Sequence, residues 1–385
     1  MWSEMFVDQG NAAASDKSES KTSLIDRSSV DASPGLISIS DPQFETSKTL
    51  KLQTGDTVSI KDVPEINEKH AALTLLEAKF SKTNNVVLLD RTLTLISGRY
   101  IFEAVSTVSD QMVGFILSVE HSLRLRLNAS DVKIISAGLT TNLTVHPEFR
   151  KAALAMHLIR AVIQKGYGYG VYCGYHFTNE SHSKSAVKIV AWYRILDVKK
   201  AYDFGYWTRS TSSDFKVLQD QYRIQDISIG WSVRPTVYSD MVFLDASRRK
   251  LTIGQVTPEQ WTRLSGTPLR WFSLEFESAS NKAEIRGVAA IRPFIVYLAD
   301  TKKICTAAQL VFFEASDLNA AKQLSNLLLG ALTANGYVVL HGVSLGWICQ
   351  LEDYLKCVRT GSMWLDFYNL RLPSSRPEEL SVLYI

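Results

Sequence analysis

Residues 137–168 read AGLTTNLTVHPEFRKAALAMHLIRAVIQKGYG, a strand, a turn and a helix in succession. Small and β-branched residues dominate from Ala137 to Val145, the composition of a strand. Beyond Pro147, the residues Leu154, Leu158 and Val162 recur every four positions beside Ala155, Ile159 and Ile163. That period predicts a helix over roughly 149–165 with a broad apolar face. Gly166-Tyr167-Gly168 ends it, and Val171-Tyr172-Cys173 reads as the next strand. Upstream, strands are predicted at Tyr100–Val105 and Val113–Val119. A helix is predicted over Glu65–Lys82, with Pro64 in its first turn and Glu65 against the dipole.

A similar succession returns later in the chain. A helix at Ser239–Arg248 precedes strands at Trp271–Glu277, Ile285–Ile291 and Leu310–Glu314; a helix over Leu318–Asn335 and the run Gly336-Tyr337-Val338-Val339-Leu340 follow. The two Gly-Tyr helix ends lie about 170 residues apart, and Gly114 and Gly287 have nearly the same spacing. The order predicts an internally duplicated α/β protein, although any two α/β domains share strand-then-helix order.

The chain has 385 residues, 46% hydrophobic and 21% charged, enough for two cores. Its net charge of +3 comes from dispersed Lys and Arg, so nucleic acid is not an expected partner. No run approaches eighteen uncharged apolar residues and no export signal opens the sequence, so a cytoplasmic protein without membrane insertion is expected. Cys173, Cys305, Cys349 and Cys357 lack disulfide or zinc spacing and read as reduced thiols; no metal site is expected. Residues 8–47 are rich in Ser, Asp and Lys and poor in aromatics, which predicts disorder over 1–48.

A strand feeding a helix through a turn presents backbone N–H groups and the positive end of the dipole at the helix start, where a pyrophosphate can sit. Here the turn is Val145 to Ala153, with Arg150 and Lys151 as candidate phosphate partners and Ala152 and Ala153 permitting close approach. Arg150 and Lys151 read equally as solvated residues. Backbone N–H groups of Asn142 and Leu143 have the placement to meet a thioester oxygen, and equally that of ordinary ladder donors.

At these residues the chain resembles the eukaryotic N-myristoyltransferases. Their run Glu-Ile-Asn-Phe-Leu-Cys-Val-His, with the basic loop and helix that follow, is similar to Thr141-Asn142-Leu143-Thr144-Val145-His146 and then Arg150 to Met156. Their Tyr-Trp-His-Arg-Ser-Leu-Asn-Pro-Lys-Lys-Leu looks like Ala191 to Ala201. Val233-Arg234-Pro235 with Asp240, Leu251-Thr252 with Trp261, Asn335 to Leu340 and Phe367-Tyr368-Asn369-Leu370 continue the likeness in the same order.

The resemblance implies two tandem GNAT-type N-acyltransferase domains related by pseudo-twofold symmetry: residues 49–215, which would bind acyl-CoA, and 216–385, which would bind peptide. It implies transfer of myristoyl from myristoyl-CoA to the N-terminal glycine of proteins by a monomer without a cofactor. The implied base is the α-carboxylate of Ile385, the implied oxyanion donors are Asn142 and Leu143, and Val145, Arg150, Lys151, Ala152, Ala153 and Leu154 form the CoA-phosphate turn. The run Leu380 to Ile385 is apolar enough to carry the chain end into the core, and equally to pack as a last strand.

Several family features are absent. The glycine-rich acidic signature appears as Lys356-Cys357-Val358-Arg359-Thr360-Gly361-Ser362, and Ser81 to Asn85 has none of the acids that select Lys in the peptide. A binding protein without turnover, or an acyltransferase using a shorter acyl-CoA, are the competing readings.

Overall fold

The computed structural model describes residues 35–36, 47–52, 55–63, 86–88, 100–128, 130–178, 186–204, 212–225, 227–265, 269–277, 283–298, 303–372 and 375–384. The expected helix over 65–82, most of the stretch 1–48, and Ile385 lie outside these residues.

The first unit contains β1 (Ser47–Lys51), β2 (Thr57–Asp62), β3 (Tyr100–Ser106), β4 (Met112–Arg126), β5 (Val132–Val145), α1 (Leu154–Gly168), β6 (Cys173–Thr178) and β7 (Val187–Ile195). The second contains β8 (Trp231–Pro235), β9 (Leu251–Ile253), β10 (Arg270–Glu277), β11 (Ala283–Leu298), β12 (Lys303–Ala315), α2 (Leu318–Ala334), β13 (Val339–Val343), β14 (Val358–Tyr368) and the short β15 (Leu380–Ser381). One large sheet holds them all, and its main path runs β8-β10-β11-β12-β13-β7-β14-β6-β5-β4-β3-β2-β1.

Pairing repeats between the units. Three antiparallel strands, β3-β4-β5, lead through α1 to β6, which lies parallel to β5 with Ala137 opposite Cys173. Three more, β10-β11-β12, lead through α2 to β13, parallel to β12 with Ala307 opposite Val339. The last strand of each unit crosses over: β7 pairs with β13, β14 pairs with β6, and β7 and β14 pair with each other.

Each helix covers its unit because its apolar stripe is in phase. Leu154, Leu158, Ala161 and Val162 of α1 are buried, as are Ala321, Leu324, Leu328 and Leu332 of α2. Gly114 and Gly287 make room for them. A Cβ at Gly114 would sit 3.0 Å from Leu158 Cδ1, and one at Gly287 3.1 Å from Leu324 Cδ2. Asp317 caps α2 by accepting from the Ala320 N–H at 2.9 Å. The central core joins both units, from Phe115, Leu123 and Leu139 to Val288, Val311 and Leu383.

Two expectations need correction. The helix expected from Phe149 is a 3-10 turn over Pro147–Ala152, interrupted at Ala153 (φ 57°) before α1 begins at Leu154. A left-handed residue cannot continue a right-handed helix. The segment at Ser239–Arg248 is a 3-10 helix over Tyr238–Ala246. Asp240 fixes it, accepting from Val237 N–H, Ser273 Oγ and both Arg234 nitrogens, Nη1 at 2.6 Å and Nη2 at 2.9 Å.

Candidate functional site

Strand β5 carries the first part of the site. Its register against β4 pairs Thr144 with Phe115 and Thr141 with Leu117, so Asn142 and Leu143 together face the single residue Ile116. This β-bulge takes both residues out of one-to-one register. Such a bulge re-aims backbone groups that a regular ladder would hold in the sheet.

Val145 closes β5 and is buried, and His146 N–H returns to the Val113 carbonyl at 2.8 Å. The 3-10 turn that follows contains Arg150, Lys151 and Ala152. Arg150 is exposed and its Nε donates to the Val145 carbonyl at 3.2 Å, so the guanidinium folds back over its own turn. Ala153 is exposed, whereas Leu154 is buried under the sheet. No side chain caps the start of α1. The Met156 and His157 N–H groups in its first turn donate instead to the Ala153 carbonyl, at 3.0 and 3.3 Å.

The chain end comes to the same interior from the other unit. β15 lies parallel to β9, with Leu380 opposite Leu251, and Leu380, Ser381, Val382 and Leu383 are buried. Ser381 Oγ donates to the Phe313 carbonyl at 3.0 Å, and Tyr384 N–H to the Val311 carbonyl at 2.8 Å. Behind it, Arg249 Nη1 donates to the Glu378 carbonyl at 2.6 Å while Nε faces Glu314 at 3.3 Å. Burial raises the Glu314 carboxyl above its ordinary value, against the opposing pull of Arg249. The apolar tail thus enters the core as far as Tyr384.

Two groups of polar residues surround the tail, and sequence reading missed both. Tyr175 and His121 are fully buried and share a hydrogen bond of 3.0 Å between the Tyr hydroxyl and Nε2. Burial pushes the His121 imidazole down to about 4, so it is neutral at pH 7. The second group crosses four strands in register: Arg292 of β11 opposite Gln309 of β12, then His341 of β13, then Tyr193 of β7. Arg292 Nη2 donates to Gln309 Oε1 at 2.5 Å, and Gln309 Nε2 donates to the Tyr384 carbonyl at 3.2 Å. Neither His121 nor Arg292 stands in a motif, and only cross-strand register brings each to the tail.

The four cysteines are free, and burial lifts Cys173, Cys305 and Cys349 to about 12. Those thiols are therefore protonated at pH 7. Among the described residues, no helix is long and apolar enough to cross a membrane.

The class of protein defined by this architecture is α/β, with a repeated strand-helix unit whose last strands are exchanged within one sheet. The fold is that of N-myristoyltransferase. A structure of the Saccharomyces cerevisiae enzyme with bound myristoyl-CoA matches at a TM-score of 0.68 with 14% sequence identity, over 91% of this chain and 90% of that one. A second myristoyl-CoA-bound structure from this yeast matches at 0.68 with 15% identity, over 91% of each chain. A third, with myristoyl-CoA and inhibitors, matches at 0.66 with 13% identity, over 91% of this chain and 88% of that one. No protein-family model matches the sequence, and no curated protein matches it by sequence. The fold is thus held by a widely divergent sequence.

Proposed function

We propose that this protein transfers a myristoyl group from myristoyl-CoA to the N-terminal glycine of proteins in the cytoplasm. Residues 49–215 form the acyl-CoA half and residues 216–385 the peptide half. The α-carboxylate of Ile385 takes a proton from the glycine ammonium, and the amine attacks the thioester carbonyl. The tetrahedral intermediate collapses to the amide by breaking the C–S bond, with CoA leaving as a thiolate that takes up the amine's remaining excess proton. Backbone N–H groups at the Asn142–Leu143 bulge receive the developing oxyanion. The turn formed by Val145, Arg150, Lys151, Ala152, Ala153 and Leu154 holds the CoA phosphates through its N–H groups and the helix dipole. No cofactor or metal takes part.

The observation that carries this reading is the burial of residues 380–384 and their hydrogen bonds to β12. The proposed base, the Ile385 α-carboxylate, is the group that follows this buried run in sequence. A base working in an interior of this kind would be shielded from water, which favours proton transfer from substrate.

The test is transfer of labelled myristoyl to a Gly-initiated peptide by the native chain and by one extended after Ile385. Activity lost on extension supports the terminal-carboxylate mechanism; equal activity removes Ile385 from it. Bound myristoyl-CoA without transfer supports the non-catalytic reading, for which the folded-back Arg150 is the motivating feature. A preference for a shorter acyl-CoA moves the chain to another branch of acyl transfer.

A further inference from the structure

The C-terminal turns of α2, the start of β10, the end of β8 and the helix Pro258–Ser265 frame a cleft of about 410 Å³. None of its lining residues belongs to the tail, to the Asn142–Leu143 bulge or to the turn before α1, so it is separate from the proposed acyl-transfer machinery. Its volume lies in the range of small-molecule pockets, about 300–1,000 Å³. At ~30 Å³ for each water-sized volume it holds roughly fourteen non-hydrogen atoms, the size of a bicyclic molecule and far less than a protein surface.

The walls select the body of that molecule. Trp261 of the helix and Trp271 and Phe272 of β10 contribute three aromatic rings. The two indoles stand 5.7 Å apart at 62°, and Trp271 is fixed because its Nε1 donates to the Leu264 carbonyl at 2.7 Å. Trp261 is only half-buried. Rings held in place at an angle favour a planar aromatic guest, through offset and edge-to-face contacts, over a flexible chain.

Two polar groups select its head. Tyr337 lines the cleft at 6% exposure, and its hydroxyl makes no hydrogen bond to a described residue. Buried hydroxyls ordinarily have a partner. Arg270 also lines the cleft, is exposed and forms no ion pair among the described residues. Its charge reaches the Tyr337 hydroxyl, opposing the rise that burial imposes there. A hydroxyl donor and a guanidinium thus converge, and a carboxylate accepts from both.

We infer that this cleft binds a small aryl carboxylate, its ring system against the aromatic wall and its carboxylate on Arg270 and Tyr337. The inference does not depend on acyl transfer.

The test titrates the full chain calorimetrically with 2-naphthylacetate, a molecule of the required size, with its neutral amide and with its ring-saturated analogue. The acid is expected to bind one-to-one below about 1 mM. The amide should bind at least about fivefold more weakly for want of the charged contact, and the saturated analogue at least about threefold more weakly. Arg270→Gln brings acid and amide to equal affinity while leaving the amide within about twofold. Ala331→Phe, which fills the cleft from α2 and leaves Arg270 in place, abolishes binding. Should that variant not fold, Trp261→Ala, at a half-buried position, is expected to weaken the acid at least about fivefold. No saturable binding of the acid, or an affinity unchanged in Arg270→Gln or in Trp261→Ala, overturns the inference. Equal binding of the saturated analogue overturns the aryl class.

Discussion

Tyr384 donates its backbone N–H to the carbonyl of Val311 at 2.8 Å, and Val311 is the residue that the register of β11 and β12 passes over between Leu310 and Phe312. The tail is therefore anchored at a bulge. In the first unit, the corresponding strand has its own bulge at Asn142 and Leu143. The second unit's bulge holds the protein's own chain end, and the first unit's bulge holds no described segment in that way.

Anchoring of this kind makes the tail part of the core. Leu383→Ala removes a fully buried side chain from the cluster that joins both units. It is expected to cost about 3 kcal/mol of stability, measured by denaturant midpoint at constant m-value. A loss below about 0.5 kcal/mol would show that the tail rests on the surface of the core.

Ala153 offers the opposite sign. Its φ of 57° is unfavourable for any residue with a Cβ, and its side chain is exposed, so Ala153→Gly loses little contact and relieves backbone strain. The variant is expected to gain about 0.5–1 kcal/mol, read as a higher denaturant midpoint.

At Gly174 there is no such freedom. A Cβ there would overlap both the Tyr368 hydroxyl and the backbone carbonyl of Gly138. Gly174→Ala is expected to cost at least about 4 kcal/mol or to prevent folding. Adding Tyr368→Phe removes the hydroxyl but keeps the ring Cζ and the Gly138 carbonyl, each of which the added Cβ would still overlap, so the double variant should not recover. Recovery by circular dichroism and thermal melting would show that ring and backbone can move aside once the hydroxyl is gone.

His121 and His341 are held neutral by burial, at about 4 and about 3, below the ordinary value of 6.5. Between those values the unfolded chain binds more protons than the folded one, so stability rises with pH and is lost as pH falls from about 6.5 toward 4. The His121 part amounts to about 3 kcal/mol once the window has been crossed. Urea midpoints from pH 4.5 to 7.5 should fall with acidity, and His121→Gln, which keeps a hydrogen-bonding group for Tyr175, should flatten the slope. An unchanged slope would mean that His121 is already charged in the folded protein.

The helices α1 and α2 were legible because a period near four survives any partner, and Leu154, Leu158 and Val162 announce theirs alone. Strands were found but cut short. Val113–Val119 extends to Arg126 because His121, Ser122 and Arg124 are buried beside apolar neighbours, which polarity-based reading takes for a loop. The break at Ala153 was invisible, since alanine ordinarily favours a helix and nothing in its side chain signals φ 57°. The tail's entry into the core was legible from its apolar run. Arg292 was not, because its meaning depends on lying opposite Gln309, and that register is set by long-range pairing.

Strand exchange has a consequence for how the molecule comes apart. β6 is closed by β14 and β13 by β7, so each unit finishes the other's sheet. Fragments ending and beginning near residue 215 would each expose an unpaired strand edge at the point where its partner docks. Such edges associate. Two co-expressed pieces should therefore clasp into one soluble body, while either alone should aggregate. The intact chain would melt in a single step, with no hinge along which its halves could swing open.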